Sequence, residues 1–377
     1  MSNMISYQKR ICIVLTGTIG SIRGFDLVRT LVKRNYFVQV VLTESAKQII
    51  TETSLQWASN NKVLSEIDAQ TSYLQTGKDF DLYFVFSSSS FISKLANGIY
   101  DNYALLTLAT AISNNKRILL LPLMHKELLT DVIKKNLNYL QSQGIVILNP
   151  NQEDNKLKVP DLDTILLEIE KNLTEQTFAN KNIIISYGKT IEKIDNVRII
   201  TNIASGKLGY ELALEFYRRG ANVTVIQGNV DFKLPEQIKK INIKTIEELI
   251  NSLKTNITKS THIYISTIAV SDFKPLRKSN EKKLSSNKKQ VIELIPNQKT
   301  LQYSKKAKNL IIFSLSNKLK NFNYPNLKFV VLANLEKYSE EDLELEIYDK
   351  NMKKINNFSG KRHELAKKLA DTFQIIS

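Results

Sequence analysis

Residues Ile185–Gly209, ISYGKTIEKIDNVRIITNIASGKLG, decide how this chain is read. They continue an apolar run, Ile183-Ile184-Ile185, and enter an amphipathic segment with Leu208, Leu212 and Phe216 at helical spacing. Strand, glycine-containing loop and helix, in that order, turn backbone N–H groups and a helix N-terminus toward phosphate. A generic Rossmann turn is the plain reading of that layout. A bare nucleotide loop, however, has no need of Glu192, Asp195, Arg198, Asn202 and Lys207 crowded around it.

Outward from this stretch, strands alternate with helices in both directions, which implies parallel sheets covered on both faces. In the first half the patterns predict strands at Arg10–Leu15, Tyr36–Leu42, Leu82–Phe86, Arg117–Pro122 and Gly144–Leu148. Helices are predicted around Phe91–Asn97, Tyr103–Ser113, Lys126–Ser142 and Leu162–Leu173, and Asn149–Lys158 reads as a polar loop. A polar break near Thr174–Asn182 marks the domain boundary, dividing the chain into residues 1–178 and 179–377. The second half repeats the alternation with strands at Ile183–Ser186, Asn222–Gln227, His262–Thr267, Lys328–Ala333 and Leu343–Asp349. A last helix is predicted at Lys361–Phe373, with Leu365, Ala366, Leu369 and Phe373 inward. The fold class is α/β, a flavodoxin-like parallel sheet followed by a Rossmann-like domain.

Composition narrows the function classes. The 377 residues are 42% hydrophobic and 24% charged, an ordinary globular balance. No apolar run approaches the roughly 20 residues of a membrane span, and MSNMISYQKRICIVL runs straight into a strand without a cleavable signal pattern. A single cysteine, Cys12, excludes an internal disulfide framework and suits a reducing compartment, so a cytoplasmic protein with no membrane partner is expected. The net charge of +16 is spread over many segments, but one cluster stands apart. Seven basic residues (Lys274, Arg277, Lys278, Lys282, Lys283, Lys288 and Lys289) lie close together with one acid, Glu281. Either a triphosphate site or a solvated charged loop accounts for them. No aromatics are interleaved to stack bases, so a nucleic-acid partner is not expected.

The opening stretch resembles the ligase half of the bifunctional phosphopantothenoylcysteine decarboxylase / phosphopantothenate–cysteine ligase family of coenzyme A biosynthesis. That family reads T-A-G-G-T-x-E-x-I-D-x-V-R-x-I-T-N-x-S-S-G-x-x-G. The chain matches it at Gly188, Thr190, Glu192, Ile194, Asp195, Val197, Arg198, Ile200, Thr201, Asn202, Ser205, Gly206 and Gly209. The resemblance implies CTP-dependent joining of 4'-phosphopantothenate to cysteine through an acyl-cytidylate, with Mg2+ accompanying the CTP. It places Asn202 against that intermediate, Arg198 on the substrate phosphate, and Gly188, Ser205, Gly206 and Lys207 around the anion. A second motif, Ile268-Ala269-Val270-Ser271-Asp272-Phe273, is similar to A-A-V-[AS]-D-[FWY], whose acid meets the nucleotide; on local sequence alone Asp272 could equally cap a helix. Glu281-Lys282-Lys283-Leu284 is similar to E-x-K-I and implies that Lys283 acts in forming the acyl-cytidylate. Phe313, on its own expected strand, completes the nucleotide set. Where the family has further motif residues this chain has Ser285-Ser286, Pro296-Asn297-Gln298-Lys299 and Ser316, and Asn334 stands at the asparagine of I-V-A-N.

The first half is similar to the family's flavoprotein domain. Thr16-Gly17-Thr18-Ile19 stands for T-G-G-I, Thr43-Glu44-Ser45-Ala46 for T-E-x-A, and Lys94–Asn102 for K-L-A-x-G-I-A-D-N. The resemblance puts FMN against Thr16, Gly17, Thr18, Thr43, Ser88 and Ser90. Decarboxylation in the family calls for a histidine before the third strand, an asparagine in P-A-M-N and a lid cysteine. Here Thr71–Lys78 has no histidine, Pro122-Leu123-Met124-His125 carries histidine in place of asparagine, and Asn149–Lys158 has no cysteine. This half is therefore expected to be degraded and mainly structural, with FMN binding left open. Two function classes stand: a ligase, and a non-catalytic flavin-binding or assembly protein derived from one. The resemblance also implies homo-oligomers.

Overall fold

The computed structural model describes residues 9–276, 284, 289, 291–316, 321–333 and 342–376. Arg277, Lys278, Glu281, Lys282, Lys283, Lys288 and Asn334, which the sequence singles out, lie outside them. The chain divides into two compact units, Met1–Leu173 and Thr174–Ser377. Phe178 belongs to the second, where its ring meets Phe216 edge-on at 4.9 Å.

The first unit runs β1 (Arg10–Leu15), α1 (Gly24–Lys33), β2 (Phe37–Leu42), α2 (Glu44–Lys47), α3 (Glu52–Ser59), α4 (Ser72–Thr76), β3 (Leu82–Ser87), α5 (Ser89–Ala96) and α6 (Tyr103–Ser113). It continues with β4 (Arg117–Pro122), α7 (Asp131–Ser142), β5 (Val146–Ile147), β6 (Asn151–Glu153), β7 (Lys156–Lys158) and α8 (Leu162–Leu173). Its main sheet has the order β2-β1-β3-β4-β5 and is parallel throughout. Side chains alternate across a strand, and this sheet needs both faces apolar. Ile11, Ile13 and Leu15 join Leu27, Leu31, Ile165 and Ile169 on one face. Cys12 and Val14 join Phe91, Leu95, Leu105 and Leu108 on the other.

Two sequence expectations need correction here. Asn149–Lys158 is not a loop but the antiparallel hairpin β6–β7, closed by Asp154 and Asn155 at φ 44° and 58°. Asp and Asn tolerate that left-handed backbone, which two-residue hairpins require. Lys126–Ser142 is not one helix: a short 3-10 turn at Lys126–Leu128 ends before α7, whose first turn is capped by Thr130 Oγ1 accepting from the Ile133 N–H.

The second unit runs β8 (Asn182–Tyr187), β9 (Ile191–Lys193), β10 (Ile199–Thr201), α9 (Lys207–Arg218), β11 (Asn222–Gln227), β12 (Lys239–Asn242), α10 (Ile246–Asn256) and β13 (Ile263–Ser266). Then follow β14 (Phe273–Pro275), β15 (Leu294–Pro296), β16 (Asn309–Leu315), β17 (Leu327–Ala333), β18 (Asp342–Asp349), β19 (Lys354–Lys361) and α11 (Arg362–Phe373). The large sheet has the order β12-β11-β8-β13-β16-β17-β18-β19, parallel up to β17 and antiparallel beyond it. Strand order therefore reverses between β8 and β13, the position at which doubly wound sheets open a crevice. Ile184, Tyr264, Leu310 and Ile312 pack under α10 through Leu249 and Leu253. On the opposite face, Phe373 of α11 lies over Phe329 with ring centroids 5.5 Å apart.

Candidate functional sites at the sheet switch points

In the second unit, β8 ends at Tyr187 and the backbone turns at Gly188, φ 87°. A Cβ there would come within 2.9 Å of Val230 Cγ1 and 3.1 Å of the Gly228 carbonyl carbon. Gly206, φ 74°, packs against the same glycine: its Cβ would lie 2.9 Å from Gly188 N. Both positions combine a left-handed backbone with a close chain crossing, so both require glycine. Gly209 seats the first turn of α9 on β8, because a Cβ would overlap Thr267 Oγ1 and Tyr187 Cβ. The N-cap residue of α9 is Gly206, which has no side chain to accept from the first N–H groups, and the first turn carries no acid. Those donors are left to the nearby Ser205 hydroxyl, 3.4 Å from Lys207 N, and to an incoming anion.

Across the crevice, β13 leads into Thr267–Asp272, stitched to the glycine loop by backbone bonds. Ala269 N donates to Gly188 O at 2.8 Å, and Thr190 N donates to Ala269 O at 3.1 Å. Thr190 Oγ1 accepts from Ser271 N at 3.0 Å, while Thr201 Oγ1 donates to Thr190 O at 2.7 Å. Asn202 closes the set: its Nδ2 donates to Val270 O at 3.0 Å. One amide proton is thereby fixed, and the second N–H and the Oδ1 stay with a half-buried side chain at the crevice.

Asp272 precedes strand β14, so it caps no helix; its carboxylate is 72% exposed and 3.4 Å from Lys299 Nζ. Asn297 N donates to Asp272 O at 2.7 Å, and the buried Nδ2 of Asn297 has no partner among the described residues. A buried, unpaired donor beside an exposed carboxylate suits a ligand with both an acceptor and a donor edge. Phe313 lies one residue beyond the Ser266–Ile312 pairing, at the same edge of the sheet.

Arg198 is tied into the turn of its own hairpin through one guanidinium nitrogen. Its guanidinium Nη1 donates to Asp195 Oδ2 at 2.7 Å and to Leu284 O at 3.1 Å. Hydrogen bonds from the N–H groups of Leu284, Arg198 and Val197 and from the Arg198 guanidinium outweigh burial and hold the Asp195 carboxyl well below the usual carboxylate range. Ser205 and Lys207 are exposed beside the α9 N-terminus. Lys283 lies outside the described residues. Thr190 and Ser271 lie within the matched motifs and Asn297 within Pro296–Lys299, but none of the three was among the expected site residues.

In the first unit, the order 2-1-3-4-5 puts its switch point between β1 and β3. Thr16 is buried there and already satisfied: its Oγ1 donates to Phe86 O at 2.7 Å and accepts from Ser88 N at 2.9 Å. Thr43 is buried, with its Oγ1 3.2 Å from Ser45 Oγ. The accessible hydroxyls are those of Thr18, Ser45, Ser88 and Ser90, with Ser88 capping α5 through Phe91 N. Ser45, 2.5 Å from where a Cβ on Gly17 would stand, was not among the expected ligands. Small hydroxyls around a glycine and a helix N-terminus fit a flavin phosphate, and Thr16 acts as the strut behind them. The hairpin β6–β7 docks beside this edge, where Leu157 N donates to Met124 O at 2.8 Å and Lys126 N to Asn155 O at 3.0 Å. His125 is exposed at that junction.

Architecture and sites define a two-domain α/β protein of the flavoprotein class. Residues 2–174 match the Flavoprotein family, and residues 178–374 match the DNA/pantothenate metabolism flavoprotein C-terminal domain. The chain is 30% identical over 380 residues to the coenzyme A biosynthesis bifunctional protein CoaBC of Methanocaldococcus jannaschii, covering 97% of this chain and 93% of that one. It is 29% identical to the protein of that name from Thermococcus kodakarensis (78% and 74% covered) and 30% identical to that from Haemophilus influenzae (77% and 75%). The chain belongs to the CoaBC family.

Proposed function

We propose that this protein acts in coenzyme A biosynthesis, and that its second unit joins 4'-phosphopantothenate to cysteine at the expense of CTP. The observation that carries this is the crevice between β8 and β13, where the open N-terminus of α9, the oriented Asn202 amide and the Asp272–Asn297 pair meet. A carboxylate must be activated before an amine can displace its oxygen. In the proposed reaction a carboxylate oxygen of phosphopantothenate attacks the α-phosphorus of CTP, and pyrophosphate leaves. The cysteine amine then attacks the acyl carbon, CMP leaves, and the amine loses a proton. The α9 N-terminus, with Ser205 and Lys207, binds phosphate. The free N–H of Asn202 faces the acyl oxygen, where a preorganised donor lowers the barrier. Asp272 and Asn297 address the base, Phe313 borders it, and Lys283 serves the first step. Mg2+ is proposed to arrive on the triphosphate, bound through few protein carboxylates.

The test is direct. Purified protein with phosphopantothenate, cysteine, Mg2+ and CTP should release pyrophosphate and phosphopantothenoylcysteine. Absence of both products with CTP and with ATP would sink this reading and favour a non-catalytic flavin-binding or assembly protein.

The first unit is proposed to hold FMN through Thr18, Ser45, Ser88 and Ser90, with Gly17 leaving room. Bound FMN would supply two-electron oxidation of a thiol-bearing substrate. The absence of a cysteine in Asn149–Lys158 and of a histidine in Thr71–Lys78 supports reading this unit as degraded for the carboxyl loss. Added FMN should therefore show quenched fluorescence without CO2 release from phosphopantothenoylcysteine; CO2 release at a catalytic rate would refute the degraded assignment. The protein is proposed to be a cytoplasmic homo-oligomer acting on small molecules. No helix among the described residues is long and apolar enough to cross a membrane.

A further inference from the structure

The antiparallel hairpin β9–β10 has its open end at the crevice, where Ile191 pairs with Thr201 and Thr201 leads to Asn202. Its turn, Ile194–Arg198, lies about three residues away, roughly 10 Å at strand spacing. That turn grips one residue far along the chain. Asp195 Oδ2 accepts from Leu284 N at 3.0 Å, and Arg198 Nη1 donates to Leu284 O at 3.1 Å. The two contacts lock both backbone groups of a single residue. Asp195 is prepared for this: its side chain is closed to solvent, and its Oδ1 accepts from Val197 N at 2.7 Å and Arg198 N at 2.6 Å. The Asp195–Arg198 ion pair at 2.7 Å joins the two limbs.

Leu284 lies in the segment joining β14 to β15, residues 276–293, which carries most of the basic cluster. The ends of that segment are tied by Leu276 N donating to Glu293 O at 2.9 Å, and β14 pairs with β15. In general, a second anchor away from a loop's base lowers the entropy that ordering the loop costs. Leu284 follows Lys283 directly in sequence.

We infer that Asp195 and Arg198 form a clamp on the backbone of Leu284, the residue that follows Lys283 in sequence, making both of them positioning residues for nucleotide activation. This rests on the ligase reading above for its function, but not for the clamp itself. It also gives Arg198 a structural task in addition to any contact with a substrate phosphate. Charge-assisted bonds to backbone are strong enough to set a loop position, and small misplacements of a reacting group cost rate more than binding.

Asp195→Asn separates the limbs. The amide nitrogen cannot accept from Leu284 N or from Arg198, while its Oδ1 can still accept from Val197 and Arg198 N–H. Amide exchange at Leu284, followed by NMR or by mass spectrometry of the peptide containing it, should quicken at least about tenfold. The pyrophosphate release rate at saturating CTP should fall by roughly 10- to 100-fold, with KM for CTP within about threefold. Leu284→Pro cuts the same bond from the other side, leaves the hairpin intact, and should lose rate to a similar extent. Unchanged exchange at Leu284 in Asp195→Asn protein overturns the clamp. Faster exchange with an unchanged pyrophosphate rate, or a normal rate in Leu284→Pro protein, overturns the positioning role. If wild-type protein released no pyrophosphate, the ligase reading and the positioning role would fall together, and the exchange measurement would still decide whether the clamp exists.

Discussion

Asn202 shows how one side chain can be both pinned and available. Its Nδ2 donates to Val270 O, so the amide cannot rotate freely, and the remaining N–H has a set direction. Asp at this position would set a carboxylate oxygen against the Val270 carbonyl and remove both donors. We expect Asn202→Asp to raise the barrier for amide formation by roughly 3 kcal/mol, the usual cost of losing one oxyanion donor. Activation of the carboxylate should suffer less, so the acyl-cytidylate should accumulate, which rapid-quench analysis of radiolabelled CTP would detect. Phosphopantothenoylcysteine formed at the unmutated rate would show that the amide has no role in the reaction. The same scale explains why the motif is dense in this stretch: Gly188 and Gly206 are needed for their backbone and mutual approach, Asp195 for its four donors, and Asn202 for its bond across the crevice.

At the scale of elements, α9 is the part that carries the proposed anion site at the sheet edge. Gly209 lets its first turn lie directly on Tyr187 and Thr267, and Arg219 at its far end ties it to α11. Arg219 Nε donates to Glu215 Oε1 at 2.7 Å and its Nη1 to Asp371 Oδ1 at 2.7 Å, with the Arg219 side chain only 6% exposed. The helix is thus fixed by packing at one end and, at the other, by the buried Arg219–Glu215 pair and its link to the exposed Asp371. Gly209→Ala should push the N-terminus of α9 off the sheet, costing about 1–3 kcal/mol of stability as overpacking does. KM for CTP should rise alongside. Urea denaturation and initial-rate kinetics would check the pair of effects; an alanine protein with wild-type midpoint and KM would mean that α9 is not seated by this contact.

For the whole molecule, the net charge of +16 creates a field favouring phosphate-rich substrates, and that field is screened by salt. The screening length falls from about 10 Å at 0.1 M ionic strength to about 3 Å at 1 M. Over that range KM for CTP should rise severalfold while kcat changes little, measured as pyrophosphate release in potassium chloride. A KM independent of salt would assign nucleotide binding to close contacts alone and leave the charge unconnected with substrate capture.

What the sequence determined by itself was local. Apolar runs such as Arg10–Leu15 and Ile183–Ile185 specify strands because a parallel sheet buries both of their faces, and Ile185–Gly209 carries its loop chemistry within 25 consecutive residues. The alternation of strands and helices was legible for the same reason. The hairpin β6–β7 was missed although Asp154-Asn155 signalled its turn, because polar strands without an apolar face lack a period to read. Strand β19, polar and mostly exposed, escaped likewise. Only the tertiary structure decided partners. Thr16 became a buried strut through Phe86 and Ser88, about 70 residues away, and Asp272 came to stand by Lys299 and not on a helix. Arg198, a cation that could have faced solvent or substrate, was committed to Asp195 and to Leu284, 86 residues further on. A side chain's hydrogen-bonding capacity is written in its residue type, but which donor or acceptor meets it depends on chain segments that only the folded sheet brings within 3 Å.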